Sequence, residues 1–291
     1  MQVTGFSFVK DAIIYGYPVE ASIRSILPLC DSFIVAVGKS QDATLDLIQS
    51  IDPNKIIVIE TIWDESLRVG GKVLAQETNK ALAAVPANSD WAFYLQADEV
   101  VHEKYLDIIY QAMLRYKDDT RIEGLLFHYL HFFGSYEYVA NSPNWYDKEV
   151  RIIRPCSQIY SYKDAQGFRK GNNQKLKVKL IDAYIYHYGW VKDPVLMQKK
   201  QRNFNKYWHE DEWIEKNIGN SAVYEYEKNI QSLAKFDGTH PAVMQPFIQN
   251  QNWHFEFDIS KSKLTLKQKI KRNIKKYLGI DLGYKNYKIL T

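Results

Sequence analysis

The chain has 291 residues, 46% apolar and 25% charged, which suits a soluble globular protein with one large domain and room for an extension. Eight Lys and Arg and no acid lie between Lys261 and Lys276, so within a net charge of +4 the rest of the chain is about four negative, which argues against nucleic acid as the ligand of the core. The two cysteines, Cys30 and Cys156, have neither metal-ligand spacing nor a disulfide framework; no signal peptide is read at the N-terminus, and no stretch approaches the roughly 18 apolar residues of a bilayer span, so a cytoplasmic protein is expected.

Residues 3–8 are short, apolar and aromatic, and predict a strand. Pro18 then stands where a helix can begin, with Val19, Ile23, Ile26 and Leu27 at helical spacing. The β-branched run 33–37 predicts a buried parallel strand ending at Gly38. Ser40 or Asp42 can cap the next helix, which carries Leu45, Leu47 and Ile48. A third strand follows over 56–59, then a helix over about 71–85. Residues 91–95 predict a fourth strand, ending in Gln96-Ala97-Asp98-Glu99, and a helix with Leu106, Ile109, Tyr110 and Met113 on its apolar face comes next. Four strand–helix alternations imply right-handed crossovers and an α/β fold, its mostly parallel central sheet flanked by helices.

Beyond Tyr116 the pattern changes. Strands are predicted over 124–128, 150–154 and 177–187, with an aromatic-rich loop over 132–146. A helix is predicted over 194–209. No repeat or long linker interrupts the chain. The tail carries Leu266, Ile270, Ile274 and Leu278 four residues apart among lysines, the pattern of a basic amphipathic helix.

Ligands of such sheets bind outside the carboxyl ends of the strands. Asp98 and Glu99 lie at such an end, where carboxylates could hold a hard divalent cation; as alternatives, either could open the following helix. The turn Gly38-Lys39-Ser40-Gln41-Asp42-Ala43-Thr44 holds a second carboxylate, which could meet a base or ribose or serve as a cap. His187 could be a metal ligand or a buried histidine bonded to backbone. Lys199, Lys200 and Arg202 could meet phosphate, although a solvated helix face is the simpler reading. His240 could line an acceptor site or fix a turn. The 21 tyrosines and 7 tryptophans suit polar ring ligands, or plain core packing.

A strand ending in a G-x-S-x-D-x-T turn, with x-A-D-E about fifty residues later, resembles the nucleotide-sugar-binding domain of family 2 glycosyltransferases of the GT-A fold. Thr4-Gly5-Phe6, residues 76–81, Asp164-Ala165-Gln166-Gly167-Phe168-Arg169, Tyr186-His187-Tyr188-Gly189-Trp190 and Gly238-Thr239-His240-Pro241 resemble a bacterial branch of it, over most of residues 1–245. The resemblance implies a GT-A domain over 1–245, with a nucleotide-sugar-binding half (1–120) and an acceptor-side half (121–245). A mainly helical extension would cover 246–291.

It also implies roles. Phe6, Lys10, Gly38, Asp42, Gln76, Gln96 and Asp98 would contact the nucleotide sugar, and Asp98 with His187 would hold Mn2+ or Mg2+. Gln96 stands where the family's D-x-D motif begins with Asp, which weakens the charge of the metal site. The catalytic base would be Asp164 or Glu149, with Asp147 a third candidate. The expected reaction is transfer of a sugar, with inversion, from a UDP- or GDP-sugar to a hydroxyl of a glycan or lipid-linked acceptor. Cell-surface glycan or lipopolysaccharide synthesis is the expected setting, with the 261–278 tail on the inner face of a membrane. The alternatives are a non-catalytic glycan- or nucleotide-binding protein on the same fold, and a sugar-nucleotide pyrophosphorylase.

Overall fold

The computed structural model describes residues 1–219, 221–261, 263–278 and 282–290. In chain order its elements are β1 (Val3–Val9), α1 (Val19–Ile26), β2 (Ser32–Gly38), α2 (Thr44–Ile51), β3 (Ile56–Thr61), α3 (Lys72–Ala83), β4 (Trp91–Tyr94), β5 (Glu99–Val101) and α4 (Leu106–Tyr116). Then come β6 (Gly124–Phe133), β7 (Ser135–Ala140), β8 (Lys148–Ile153), β9 (Ile159–Tyr162), β10 (Gly167–Lys170), β11 (Gln174–Lys175) and β12 (Lys177–Trp190). The rest is α5 (Pro194–Asn205), α6 (Asp211–Asn217), α7 (Tyr226–Asn229), β13 (Leu233–Lys235), α8 (Gln245–Gln249), α9 (Leu266–Leu278) and β14 (Lys288–Ile289).

The class is α/β, and the C-terminal part is mainly helical. The main sheet runs β13-β7-β6-β8-β4-β1-β2-β3, with β12 joining it at β6. Strands β3, β2, β1 and β4 are mutually parallel. In β1, β2 and β4 the apolar residues are buried on both faces: Val3, Phe33, Val35, Val37 and Phe93 on one side, and Phe6, Ile34, Ala36 and Tyr94 on the other. That is why these strands read as unbroken apolar runs. Beyond β4 the sheet is mixed, because β8 pairs antiparallel with both β4 and β6. A small antiparallel sheet, β11-β10-β9, lies against α3. Among the described residues no helix is long and apolar enough to cross a membrane.

Three local expectations change. The acids after β4 do not open a helix: Glu99 starts the short strand β5, which pairs antiparallel with β12, with His187 opposite Glu99. The aromatic stretch 132–146 contains strand β7, because Gly134 (φ +77°) turns the chain between Phe133 and Ser135. The helix predicted over 194–209 ends at Asn205.

Candidate active site

The parallel strands β1, β2 and β4 end on one side of the sheet, and their loops build the candidate site. The loops after β1 and β2 are clasped to each other. The Asp11 carboxylate accepts the N–H of Gln41 at 2.6 Å, while the Asp11 N–H donates to the Ser40 hydroxyl at 3.0 Å. In return, Asp42 accepts the N–H groups of Ile13 and Ile14 on one oxygen, at 3.0 and 2.8 Å. Its other oxygen takes the Thr44 N–H and hydroxyl. Burial pushes the Asp42 carboxyl up, but these donors hold it below its ordinary range. Four donors fill its lone pairs, so the expected contact with a base is replaced by a loop clasp.

Gly38 ends β2 where a side chain cannot fit: a Cβ there would lie 2.4 Å from Trp63 Nε1 and 3.0 Å from Lys10 Cβ. Lys10 sits over the Trp63 ring and pairs with Glu65 at 3.3 Å, at the edge of the crevice. Among the described residues the buried Nε1 atoms of Trp63 and Trp208 and the Oε1 of Gln76 have no hydrogen-bond partner, and these are polar groups that a ligand could satisfy. Phe6 is corrected. Strand β1 runs on to Val9, which leaves Phe6 in mid-strand, packed on Tyr94 and Phe168 in the core and unable to touch a nucleotide.

The two acids after β4 part ways. Alternation along the strand turns Glu99 inward, where Arg151 grips it with two bonds of 2.7 Å and Tyr129 donates a third at 2.8 Å. Arg151 lies between the rings of Tyr94 and Tyr129 and also donates to the Gln166 carbonyl at 2.8 Å. Glu99 is therefore structural. Gln96 donates to the Ala165 carbonyl at 3.2 Å and so ties this loop to the 163–166 turn.

Asp98 faces the other way. Its Oδ2 accepts from the Lys200 ammonium at 3.2 Å, and its Oδ1 lies 3.7 Å from His187 Nε2. Burial pushes the Asp98 carboxyl up, but the Lys200 ammonium above all pulls it down to about 2. Gly189 permits this approach, since a Cβ there would lie 2.6 Å from His187 Nε2 and 2.7 Å from Asp98 Oδ2.

The tautomer of His187 follows from its neighbours. His131 Nε2 meets the Tyr146 carbonyl at 2.7 Å and must donate to it. Burial, then the neighbouring His187, lowers the His131 value to about 3, so that ring is neutral and its Nδ1 accepts. The 3.0 Å contact between the two Nδ1 atoms therefore puts the proton on His187 Nδ1. Burial lowers the His187 value and so favours the neutral ring, in which Nε2 is left as a lone pair beside Asp98. A carboxylate oxygen and an imidazole lone pair fit part of the donor set of Mn2+ or Mg2+, with Mn2+ the better match for nitrogen. No cluster of three or more His, Cys, Asp or Glu suited to a metal occurs among the described residues, so phosphate or water oxygens would have to supply the remaining ligands.

Asp164 is half-buried in a turn whose neighbours Lys163 and Ala165 have positive φ, and it packs against Gly71 at the start of α3. Burial raises its carboxyl. Glu149 is fully buried, accepts from Val150, Gln166 and Asn286, and is pushed up to about 7 chiefly by burial. It has no exposed face from which to act on a substrate, which corrects its candidacy as base. Asp147 is paired with Lys148 and Lys275. His240 is bonded to Tyr188 and the Tyr136 carbonyl within an aromatic cluster, the turn-fixing alternative.

Sequence reasoning missed Lys192 and read Lys200 as solvated. Both are buried against the Tyr17 ring. Burial, then the Lys200 charge, pushes the Lys192 ammonium well below its ordinary range.

No protein-family model matches the chain, and no curated protein does. Among solved structures it is similar to S. aureus TarS at 12% identity, covering 70% of this chain and 39% of that one, with a TM-score of 0.42. The chain thus spans well under half the length of TarS. A glucosyl-3-phosphoglycerate synthase from Mycobacterium tuberculosis, in complex with Mn2+, UDP and phosphoglyceric acid, is similar at 17% identity over 45% of this chain and 43% of that one (TM-score 0.31). A 4-diphosphocytidyl-2C-methyl-D-erythritol synthase from Anaerococcus prevotii is similar at 11% over 70% and 94% (TM-score 0.38).

Proposed function

We propose that this protein is a glycosyltransferase of the GT-A type, moving a sugar from a UDP- or GDP-sugar to an acceptor hydroxyl with inversion. The observation that carries the reading is the convergence of the buried Asp98, Lys192 and Lys200 with the half-buried His187 where β4 and β12 end beside the parallel strands. In such sheets that is the ligand end, and there the Asp98 carboxylate is held by the buried Lys200 ammonium.

In this reading the acceptor oxygen attacks the anomeric carbon as the bond from that carbon to the diphosphate breaks. The nucleoside diphosphate leaves with the bonding electrons, and the hydroxyl proton passes to Asp164. A base works best with a value near the operating pH, and burial moves Asp164 in that direction. Asp98 and His187 would hold a divalent cation, which when bound would neutralise charge gathering on the departing diphosphate. Lys10, Gly38, Gln76 and Gln96 would line the nucleotide end. On the acceptor side, a hollow of about 300 Å³ is lined by Trp145, Asn144, Asn229, Gln231 and Ser232. Trp145 packs on His131, which bonds His187, so this sugar-compatible surface of ring and amides adjoins the centre.

The test is turnover of UDP- and GDP-sugars with Mn2+, read as sugar released to water or to an acceptor panel. Asp98→Ala should lower the rate at least about 100-fold, the scale of losing one electrostatic stabiliser. An unchanged rate sinks the reading. Donor binding without turnover in the wild type would favour the non-catalytic alternative. A pyrophosphorylase is disfavoured because no glycine follows β1 until Gly16, which leaves no glycine-rich phosphate loop.

A second reading concerns α9. It docks through polar residues: Gln268 donates to Asn144 at 3.2 Å and Lys275 pairs with Asp147 at 2.6 Å. Leu266, Ile270, Tyr277 and Leu278 face outward among lysines. We infer that this face rests on an anionic leaflet, placing the enzyme at the cytoplasmic side of a membrane with a lipid-linked or surface-glycan acceptor.

A further inference from the structure

Strand β12 ends at Trp190, and the next turn enters α5, whose first residues are fixed by Asp193 accepting the N–H groups of Val195 and Leu196. This turn carries Lys192 inward, and two helical turns later α5 carries Lys200 to the same place. They are 4% and 8% exposed. Their ammonium groups share the Tyr17 ring, at 4.8 and 5.0 Å from its centre. Lys200 donates to Asp98 and to the Gly189 carbonyl. Lys192 donates to the Gly16 carbonyl and forms no ion pair among the described residues.

One carboxylate therefore faces two buried lysines. A buried cation without a counter-charge is strongly unfavourable, and proteins keep such groups where a ligand supplies the missing charge. The place is specific: Gly16 and Tyr17 belong to the loop after β1, and Asp98 to the loop after β4. These are the ends where a ligand of the parallel sheet lies. Compact ammonium groups suit phosphate as point charges. Two of them, with only one carboxylate to share, suit a group with more than one negative charge.

We propose that Lys192 and Lys200 form a diphosphate-binding pair, which holds the donor's diphosphate through protein cations even when no divalent metal is present. This rests on the reading of the protein as a user of nucleoside diphosphate sugars, which it deepens.

The experiment is calorimetric titration of the full chain with UDP, GDP and CDP, each in EDTA and in Mn2+. In EDTA one nucleoside diphosphate should bind, and the monophosphate of the same base should bind about tenfold weaker or worse. Lys192→Met and Lys200→Met should each weaken that diphosphate by at least about tenfold, while Lys200→Arg, which keeps the charge, should stay within about threefold of wild type. Melting curves confirm that the variants fold. If Lys200→Met does not melt cooperatively, Lys192→Gln and the wild-type ratio of diphosphate to monophosphate affinity in EDTA decide. Diphosphate binding that appears only with Mn2+, or that is equally tight in folded Met variants, overturns the lysine pair and leaves the donor reading standing. No binding of any nucleoside diphosphate in either condition overturns the donor reading and the pair with it.

Discussion

Two ends of one crevice are built in opposite ways. At the β1–β2 end the acids serve the protein itself: Asp11 accepts from Gln41 and Asp42 takes four donors, so that the two loops are clasped together. At the β4–β12 end the matching is incomplete. Lys192 lacks an ion partner among the described residues, His187 Nε2 carries a bare lone pair, and Asp98 is shared between an ammonium and that imidazole. A satisfied buried charge holds a loop in place. An unsatisfied one is held by the fold at a cost, and it marks where a ligand belongs.

The largest effect should come from breaking a fully satisfied buried pair, Glu99 with Arg151, which stands beside the unsatisfied centre. Arg151→Met leaves Glu99 buried without its partner, and the expected loss of stability is about 3–5 kcal/mol, read by chemical denaturation. A loss under about 1 kcal/mol would mean that Glu99 reaches water or a proton easily, and the contrast between satisfied and unsatisfied buried charge would weaken.

Glu149 gives the next effect, through pH. Its folded value of about 7 lies above the ordinary 4.5. The stability it contributes is fully present below about pH 4.5 and is lost as pH rises through about 7, by at most about 3 kcal/mol. Wild type should therefore weaken between about pH 5 and 8 relative to Glu149→Gln, which cannot ionise. Parallel pH profiles for the two proteins would show that the carboxylate is stabilised after all by the amides of Gln166 and Asn286.

Much of this frame was legible in the sequence. The runs 33–37 and 91–95 can only be buried strands, and an acid at a strand's end falls at the ligand mouth, so Asp98 could be named. Which of Asp98 and Glu99 faces that mouth was not legible. It depends on β5 pairing with β12, nearly ninety residues away, and nothing local announces three paired residues. Lys200 was hidden for a related reason: among Lys199 and Arg202 it looks like one more solvated charge, and only the docking of α5 on Asp98 and Tyr17 singles it out. Phe6 was misread because the family resemblance assigned it to the nucleotide, although the predicted strand 3–8 already contained it. Strand β1 extends the expected one by a single residue, and Phe6 lies fully buried in it.

The smallest effect should appear at α9, and it tests whether the tail works apart from the crevice. Helices normally bury their apolar stripe, yet this one docks its polar side, with Leu266 76% and Tyr277 73% exposed. Water alone gives no reason for that arrangement, since exposed apolar side chains gain nothing there. An interface with acyl chains below and anionic headgroups beside the lysines does, at roughly 1 kcal/mol per basic residue near the surface. Replacing Leu266, Ile270 and Tyr277 together by Ser should therefore lower binding to phosphatidylglycerol vesicles several-fold. Stability and nucleotide affinity should be nearly unchanged, because none of the three side chains is buried against the core. Equal binding of wild type to neutral vesicles would remove the electrostatic half of the argument. A marked loss of stability would show that the stripe packs on protein rather than on lipid.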